Sequence, residues 1–173
     1  MIFGNILHYK GTDILIEAFN QLAETSAARL LIVGRCRNAT LKQELQSMVN
    51  ASKYRERIIW YDSFLPEEEV ISTFHAADVL VMPYRHIYQS GVIFMALATG
   101  LRTVVTDVGE LSHYITTGFG QVVATENFYE LATAIQAVLA EPKPPLDYFE
   151  NVAKPYLWSN TVRPLIKVYE KFI

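Results

Sequence analysis

Short apolar runs alternate along this chain with longer segments whose apolar positions recur every three or four residues. The runs are residues 1–6, 29–34 (RLLIVG), 57–61 (RIIWY), 78–84 (DVLVMPY), 102–106 (RTVVT) and 121–124, and they predict six strands. Residues 79–82 are apolar throughout and rich in β-branched side chains, as in a central strand covered on both faces. Helical spacing follows Thr12-Asp13, an expected cap, in Ile14, Leu15, Ala18, Phe19 and Leu22. It returns over residues 39–51 with Leu41, Leu45, Met48 and Val49 inward. Pro66 opens another helix with Glu67, Glu68 and Glu69 in its first turn, where carboxylates complement the helix dipole. Residues 92–98 are entirely apolar and predict a buried helix with Ser90 as its N-cap. Residues 108–117 read as a turn and short helix, and residues 126–140 as a helix with Leu131, Ile135, Val138 and Leu139 inward.

Pro142, Pro144 and Pro145 break the pattern before a helical tail, in which Ser159 or Asn160 caps a helix carrying Val162, Leu165, Ile166, Tyr169 and Phe172. That stripe needs something to pack on. The expected organisation is therefore a domain over residues 1–145 and a tail over residues 146–173 that packs on it. Repeated strand–helix units predict an α/β fold: a doubly wound, Rossmann-like parallel sheet of about six strands with helices on both faces. Ligands of such sheets sit beyond the carboxyl ends of the strands, where the strand order reverses. The loops to inspect are residues 7–11, 34–37, 62–65, 84–90 and 107–111.

Two of these loops carry candidate anion ligands. Lys10 stands beside Gly11 after the first strand and can meet a phosphate as a point charge; an isolated loop lysine is also commonly just solvated. Ser90-Gly91 opens the apolar helix, and glycine there lets another molecule approach the free amides closely; a capped core helix gives the same pattern. In a 3-2-1-4-5-6 strand order the two loops would face each other across one crevice, a plausible cradle for a diphosphate.

Composition narrows the classes. At 173 residues, 51% hydrophobic, the chain is long enough for one domain with a proper core. A net charge of -3 without any basic stripe argues against nucleic acid. No apolar run approaches a membrane span. The N-terminal residues do not read as a signal peptide, and the single cysteine, Cys36, fits a reducing compartment, so a cytoplasmic protein is expected. Neither the dinucleotide fingerprint nor a Walker loop is present. His8, His75, His86 and His113 lack zinc-type spacing, so no metal site is expected.

The segments FGNILHYKGTDILIEAF, LLIVG, IIWYDSFLPEEEVISTFHAADVLVMPY and YQSGVIFMALATGLRTVVTDVGEL together resemble the C-terminal half of a family-4-type retaining glycosyltransferase of GT-B fold. The resemblance covers essentially the whole chain. It implies a domain that holds a nucleoside-diphosphate sugar as donor substrate, with no tightly bound cofactor. Lys10 would be the catalytic cation on the diphosphate. Gln89, Ser90 and Gly91 would line the phosphate and donor sugar, Gly109 would lie near the sugar, and Phe64 would border the nucleobase. The acceptor, a glycan or a lipid-linked glycan, would be held by an N-terminal domain absent from this chain, and peripheral membrane association of the full enzyme would be compatible with that role. Ile87 and Met95 stand where many relatives carry two glutamates, Leu7 where this branch often has arginine, Glu110 where a second glycine is common, and His113 where glutamate is. Arg85 or His86 is a candidate replacement for the lost arginine. The alternative readings are a non-catalytic or truncated nucleotide-sugar-binding or scaffold module, and a GT-B-fold sugar-nucleotide epimerase.

Overall fold

The structure is a computed structural model that describes residues 1–172; Ile173, the last residue of the expected tail, lies outside the described residues. Six parallel strands form two ladders, β1 (Ile2–Phe3), β2 (Leu30–Val33) and β3 (Ile58–Tyr61), then β4 (Val79–Met82), β5 (Arg102–Thr106) and β6 (Gly120–Val123). Met1 stitches them together. Its nitrogen donates to the Val79 carbonyl (2.7 Å) and its carbonyl accepts the Val81 N–H (2.8 Å). The layer therefore runs β3-β2-β1-β4-β5-β6, with its order reversing between β1 and β4.

Alternation along the strands divides the core in two. Ile2, Ile32, Val79, Val81, Val104 and Val123 face one side, under α1 (Thr12–Ala23), α2 (Ala39–Ala51) and α5 (Phe128–Ala140). Val33, Leu80, Met82 and Val105 face the other, under α3 (Glu67–His75), α4 (Val92–Ala98) and α6 (Leu146–Ala153), which supply Phe74, Ile93, Leu97 and Phe149. Asn38 and Asn127 cap α2 and α5 through side chains that accept N–H bonds from Leu41 and Glu130.

Several boundaries move for identifiable reasons. The first strand is shorter than expected because Gly4 turns the chain at φ 97°, leaving only a bridge at Ile6. The fifth helix starts at Phe128 because Glu126 sits at φ 60° and Asn127 takes the cap. In the tail, Ser159 and Asn160 lie inside α7 (Trp158–Thr161) instead of capping, and α8 (Arg163–Tyr169) follows. Phe149 of α6 is fully buried, whereas Leu165, Ile166, Tyr169 and Phe172 are exposed, the last at 83%.

The loop after β1 is bolted to the exit of β4. Gly11 adopts φ 65°, and a Cβ on it would come within 2.1 Å of the Pro83 carbonyl oxygen. Only glycine meets both demands. Arg85 completes the joint. Its guanidinium makes a two-pronged bond with the Asp13 carboxylate (2.9 and 2.6 Å), reaches the His8 carbonyl (2.9 Å) and pairs with Glu126 (2.8 Å), while its N–H donates to the Tyr9 carbonyl (2.7 Å). Asp13 lies in the first turn of α1 and does not cap it; the cap position is Gly11, which has no side chain to offer.

Two outcomes follow. Gly11→Ala should lower stability in chemical denaturation by about 1–3 kcal/mol, through backbone strain and the Pro83 contact; an unchanged midpoint would contradict the joint. Arg85→Ala should cost about 1–3 kcal/mol, since the half-buried Asp13 carboxylate loses its partner. A loss within 0.5 kcal/mol, the usual scatter for a surface substitution, would make Arg85 a surface charge only.

Candidate functional site

Lys10 ends a short 3-10 turn, His8–Lys10, that Gly11 closes by donating its N–H to the His8 carbonyl. The turn folds the lysine inward: it is 6% exposed, with Nζ 3.1 Å from the Phe3 carbonyl and 5.4 Å from the centre of the Tyr84 ring. Gly4 leaves it room, because a Cβ there would sit 2.8 Å from Nζ. Among the described residues no carboxylate pairs with this ammonium, and the Phe3 carbonyl is its single hydrogen-bond acceptor. An ammonium has three donors to place. Burial lowers the Lys10 pKa to about 8, so it is still largely charged at neutral pH.

Ser90 and Gly91 lie across Tyr84 from this cation. Tyr84 is 1% exposed, and its hydroxyl comes against the Ser90 side chain. Burial pushes the phenol up, while Ser90 acts in the opposite sense. The serine is thus turned to Tyr84 and does not cap α4, whose cap position is Gly91 with no side-chain bond. A Cβ on Gly91 would meet nothing within 4 Å, so this face of the loop is open. The helix has only seven residues, so its contribution to anion binding rests on local amides more than on a long dipole.

Gly109 belongs to the same neighbourhood. At φ 53° it presses on the loop after β4, where a Cβ would fall 2.0 Å from the Ile87 oxygen, and the Glu110 N–H donates to the Tyr88 carbonyl (3.0 Å). Gln89 is exposed, with Nε2 3.4 Å from the Tyr114 hydroxyl. Phe64 is 51% exposed beyond β3, with the Arg37 and Arg35 guanidinium groups 5.5 and 5.9 Å from its ring centre. Strand spacing puts the end of β3 roughly 10 Å from that of β1. Lys10 and Ser90 are linked through Tyr84, Gly109 packs on the loop between β4 and α4, and Phe64 stands apart along the same rim.

Sequence reasoning left open whether Arg85 or His86 replaces the missing arginine. Arg85 is occupied by Asp13 and Glu126, and His86 lies against Tyr9 with ring centres 5.4 Å apart. Ile87 and Met95 are partly buried and join the core under α4, Leu7 is exposed, and Glu110 is paired in solvent with His113 at 3.5 Å. The role of Tyr84 was not foreseen; a tyrosine ending a fully apolar strand was the available signal.

A cavity of about 590 Å³ lies at the opposite end of the sheet, where Met1, Leu15, Phe19, Val79 and Ile135 give it an apolar lining unsuited to a polyanion. A polar cleft of about 500 Å³ does open at the carboxyl ends of β2 and β3, between Arg35, Arg37, Lys42, Asp62 and Ser63. Asp62 there accepts the Cys36 N–H (2.8 Å) and pairs with Lys42 (2.5 Å), which leaves both arginines uncommitted to a carboxylate among the described residues.

Comparison with known proteins gives the family and the fold. A D-inositol 3-phosphate glycosyltransferase of Corynebacterium urealyticum is 28% identical over 178 residues, covering 96% of this chain and 41% of its own. The chain thus spans less than half the length of that relative. The C-terminal domain of a glycosyl transferase group 1 family protein (LpcC) from Francisella tularensis superposes with a TM-score of 0.77 at 21% identity, over 88% of this chain and 82% of that one. Anabaena Alr3699/HepE, solved in complex with UDP, gives 0.80 at 16% identity, over 99% and 48%. These two likenesses establish the fold, a Rossmann-like GT-B half. Residues 1–141 match the family described as Glycosyl transferases group 1, and the chain belongs to that family.

Proposed function

We propose that this chain is the donor-binding half of a glycosyltransferase that moves a sugar from a nucleoside-diphosphate carrier to a glycan or lipid-linked acceptor with retention of configuration. One observation carries the reading. A buried ammonium with no carboxylate partner among the described residues, at the carboxyl end of β1, is joined through one tyrosine to an open amide-bearing loop at the end of β4. A diphosphate supplies the acceptors that both sides lack. Lys10 would neutralise charge developing on the departing diphosphate, and the amides of Gly91 and its neighbours would hold phosphate or sugar oxygens. Phe64, with Arg35 and Arg37 beside it, would border the base, and Gln89 and Gly109 the sugar.

The acceptor would be bound by a domain outside this chain, and the exposed stripe of α8 is a surface such a domain could cover. A cytoplasmic enzyme, peripherally associated with a membrane, fits that role. By the resemblance, Leu7, Ile87 and Met95 stand where relatives carry charged residues, and Arg85 is spent on the fold. Those facts favour a second reading, a nucleotide-sugar-binding module without turnover, and an assay for sugar transfer in the presence of an acceptor domain would decide between the two.

Titration of UDP, GDP and ADP by calorimetry tests the site itself. Lys10→Ala should weaken the preferred nucleotide by about 10- to 100-fold, the equivalent of about 1.5–3 kcal/mol for one charged contact. Equal affinity in both proteins, or none in either, would refute the site.

The pH dependence has a defined sign. Affinity should fall as pH rises through about 8, where Lys10 loses its proton. Folding stability should move the other way. The folded pKa lies below the ordinary lysine value of 10.5, so the cost of burying the charge is present below about 8 and is relieved as pH rises toward 10.5. Flat affinity between pH 7 and 9.5 would contradict the assignment of Lys10.

A further inference from the structure

Tyr84 does more than fill space. Its ring lies 5.4 Å from the Lys10 ammonium and meets Tyr9 edge-on at 5.8 Å. Its hydroxyl is sealed from solvent beside Ser90 yet makes no hydrogen bond of good geometry. Its main chain is held from two sides. The carbonyl accepts from Thr106 Oγ1 (2.6 Å), and the next residue's N–H reaches the Tyr9 carbonyl (2.7 Å). Packing alone would be better served by phenylalanine, since a buried hydroxyl without a partner forfeits its bonds to water. The side chain is therefore rigid, and its polar end is left unfinished at the point where the two loops meet.

We propose that Tyr84 is the positioning residue of the anion cradle: the face of its ring supports Lys10 as a cation, and its hydroxyl, unpartnered in the free protein, closes on Ser90 when phosphate binds and so sets the Gly91 main chain. This rests on the donor-site reading. Tyr84 does not reach the ligand; it acts through Lys10 and Ser90. An ammonium over an aromatic face is held electrostatically, and more strongly when desolvated. Among the described residues no other ring lies over that ammonium. Lys10 is faced by the Phe3 carbonyl and Gly4 from the β1 side, and Tyr9 of its own turn packs edge-on against the Tyr84 ring. Of the charged groups that follow Tyr84, Arg85 is engaged by Asp13 and Glu126, and His86 rests on Tyr9.

Two variants separate the halves of the proposal, each read by nucleoside-diphosphate calorimetry, by thermal unfolding and by carbon-13 titration of the Lys10 side chain. Tyr84→Phe keeps the ring, so the Lys10 midpoint should stay in place and stability should hold or rise, while affinity drops about five- to tenfold, as for loss of one hydrogen bond that forms only in the bound state. Tyr84→Leu removes the ring as well and should lower the Lys10 midpoint by about half a unit or more, the scale of a cation–π contact. Wild-type affinity in Tyr84→Phe, or an unmoved Lys10 midpoint in Tyr84→Leu, would overturn the proposal. If Lys10→Ala weakens binding while Tyr84→Phe does not, this inference fails alone. If the wild-type protein binds no nucleoside diphosphate, the donor-site reading fails and takes this inference with it.

Discussion

The backbone crossing of Gly11 over Pro83 is the constraint on which the rest depends. Two chain segments more than seventy residues apart meet there with no room for a single methyl group. β1 and β4 are neighbours only at the point where the strand order reverses, and Met1 is the seam between their ladders. Closing the crossing with Arg85 turns a flexible loop into a fixed turn. That turn aims a lysine into the molecule when its ordinary place is solvent.

An inward lysine is costly to keep. Burial opposes its charge, and the protein returns one carbonyl bond and one aromatic face. A sequence selected for stability alone would place a neutral side chain there. Glu126 is a second local cost: it stands at φ 60°, a region a non-glycine residue avoids, and its carboxylate reaches the Arg85 that secures the turn. Both departures from local preference sit on the carboxyl-end rim of the sheet, beside the open Gly91 loop. Departures of this kind cluster at functional sites.

Much of this was legible in the residues. Apolar runs and helical spacing gave the six strands, their parallel order and the two loops that meet, because those features depend on patterns within a few residues. Side-chain commitments were not legible. Arg85 offered itself as a replacement cation, but its partner Asp13 is 72 positions away and no local pattern announces the pair. Ser90 and Asp13 have the chemistry of helix caps, yet neither takes the cap position of its helix: Ser90 stands beside Tyr84, and Asp13 is paired with the distant Arg85. Tyr84 itself reads as the end of a buried strand until the ammonium above it is seen.

The account stands or falls on one anion touching both loops at once. Amide nitrogen–proton NMR of the isotope-labelled chain, titrated with a nucleoside diphosphate, reads this directly. The account predicts that the amides around Lys10–Thr12 and those of Gly91–Ile93 shift together and saturate at the same ligand concentration. Shifts confined to one of the two loops, or saturating at different concentrations, would contradict it.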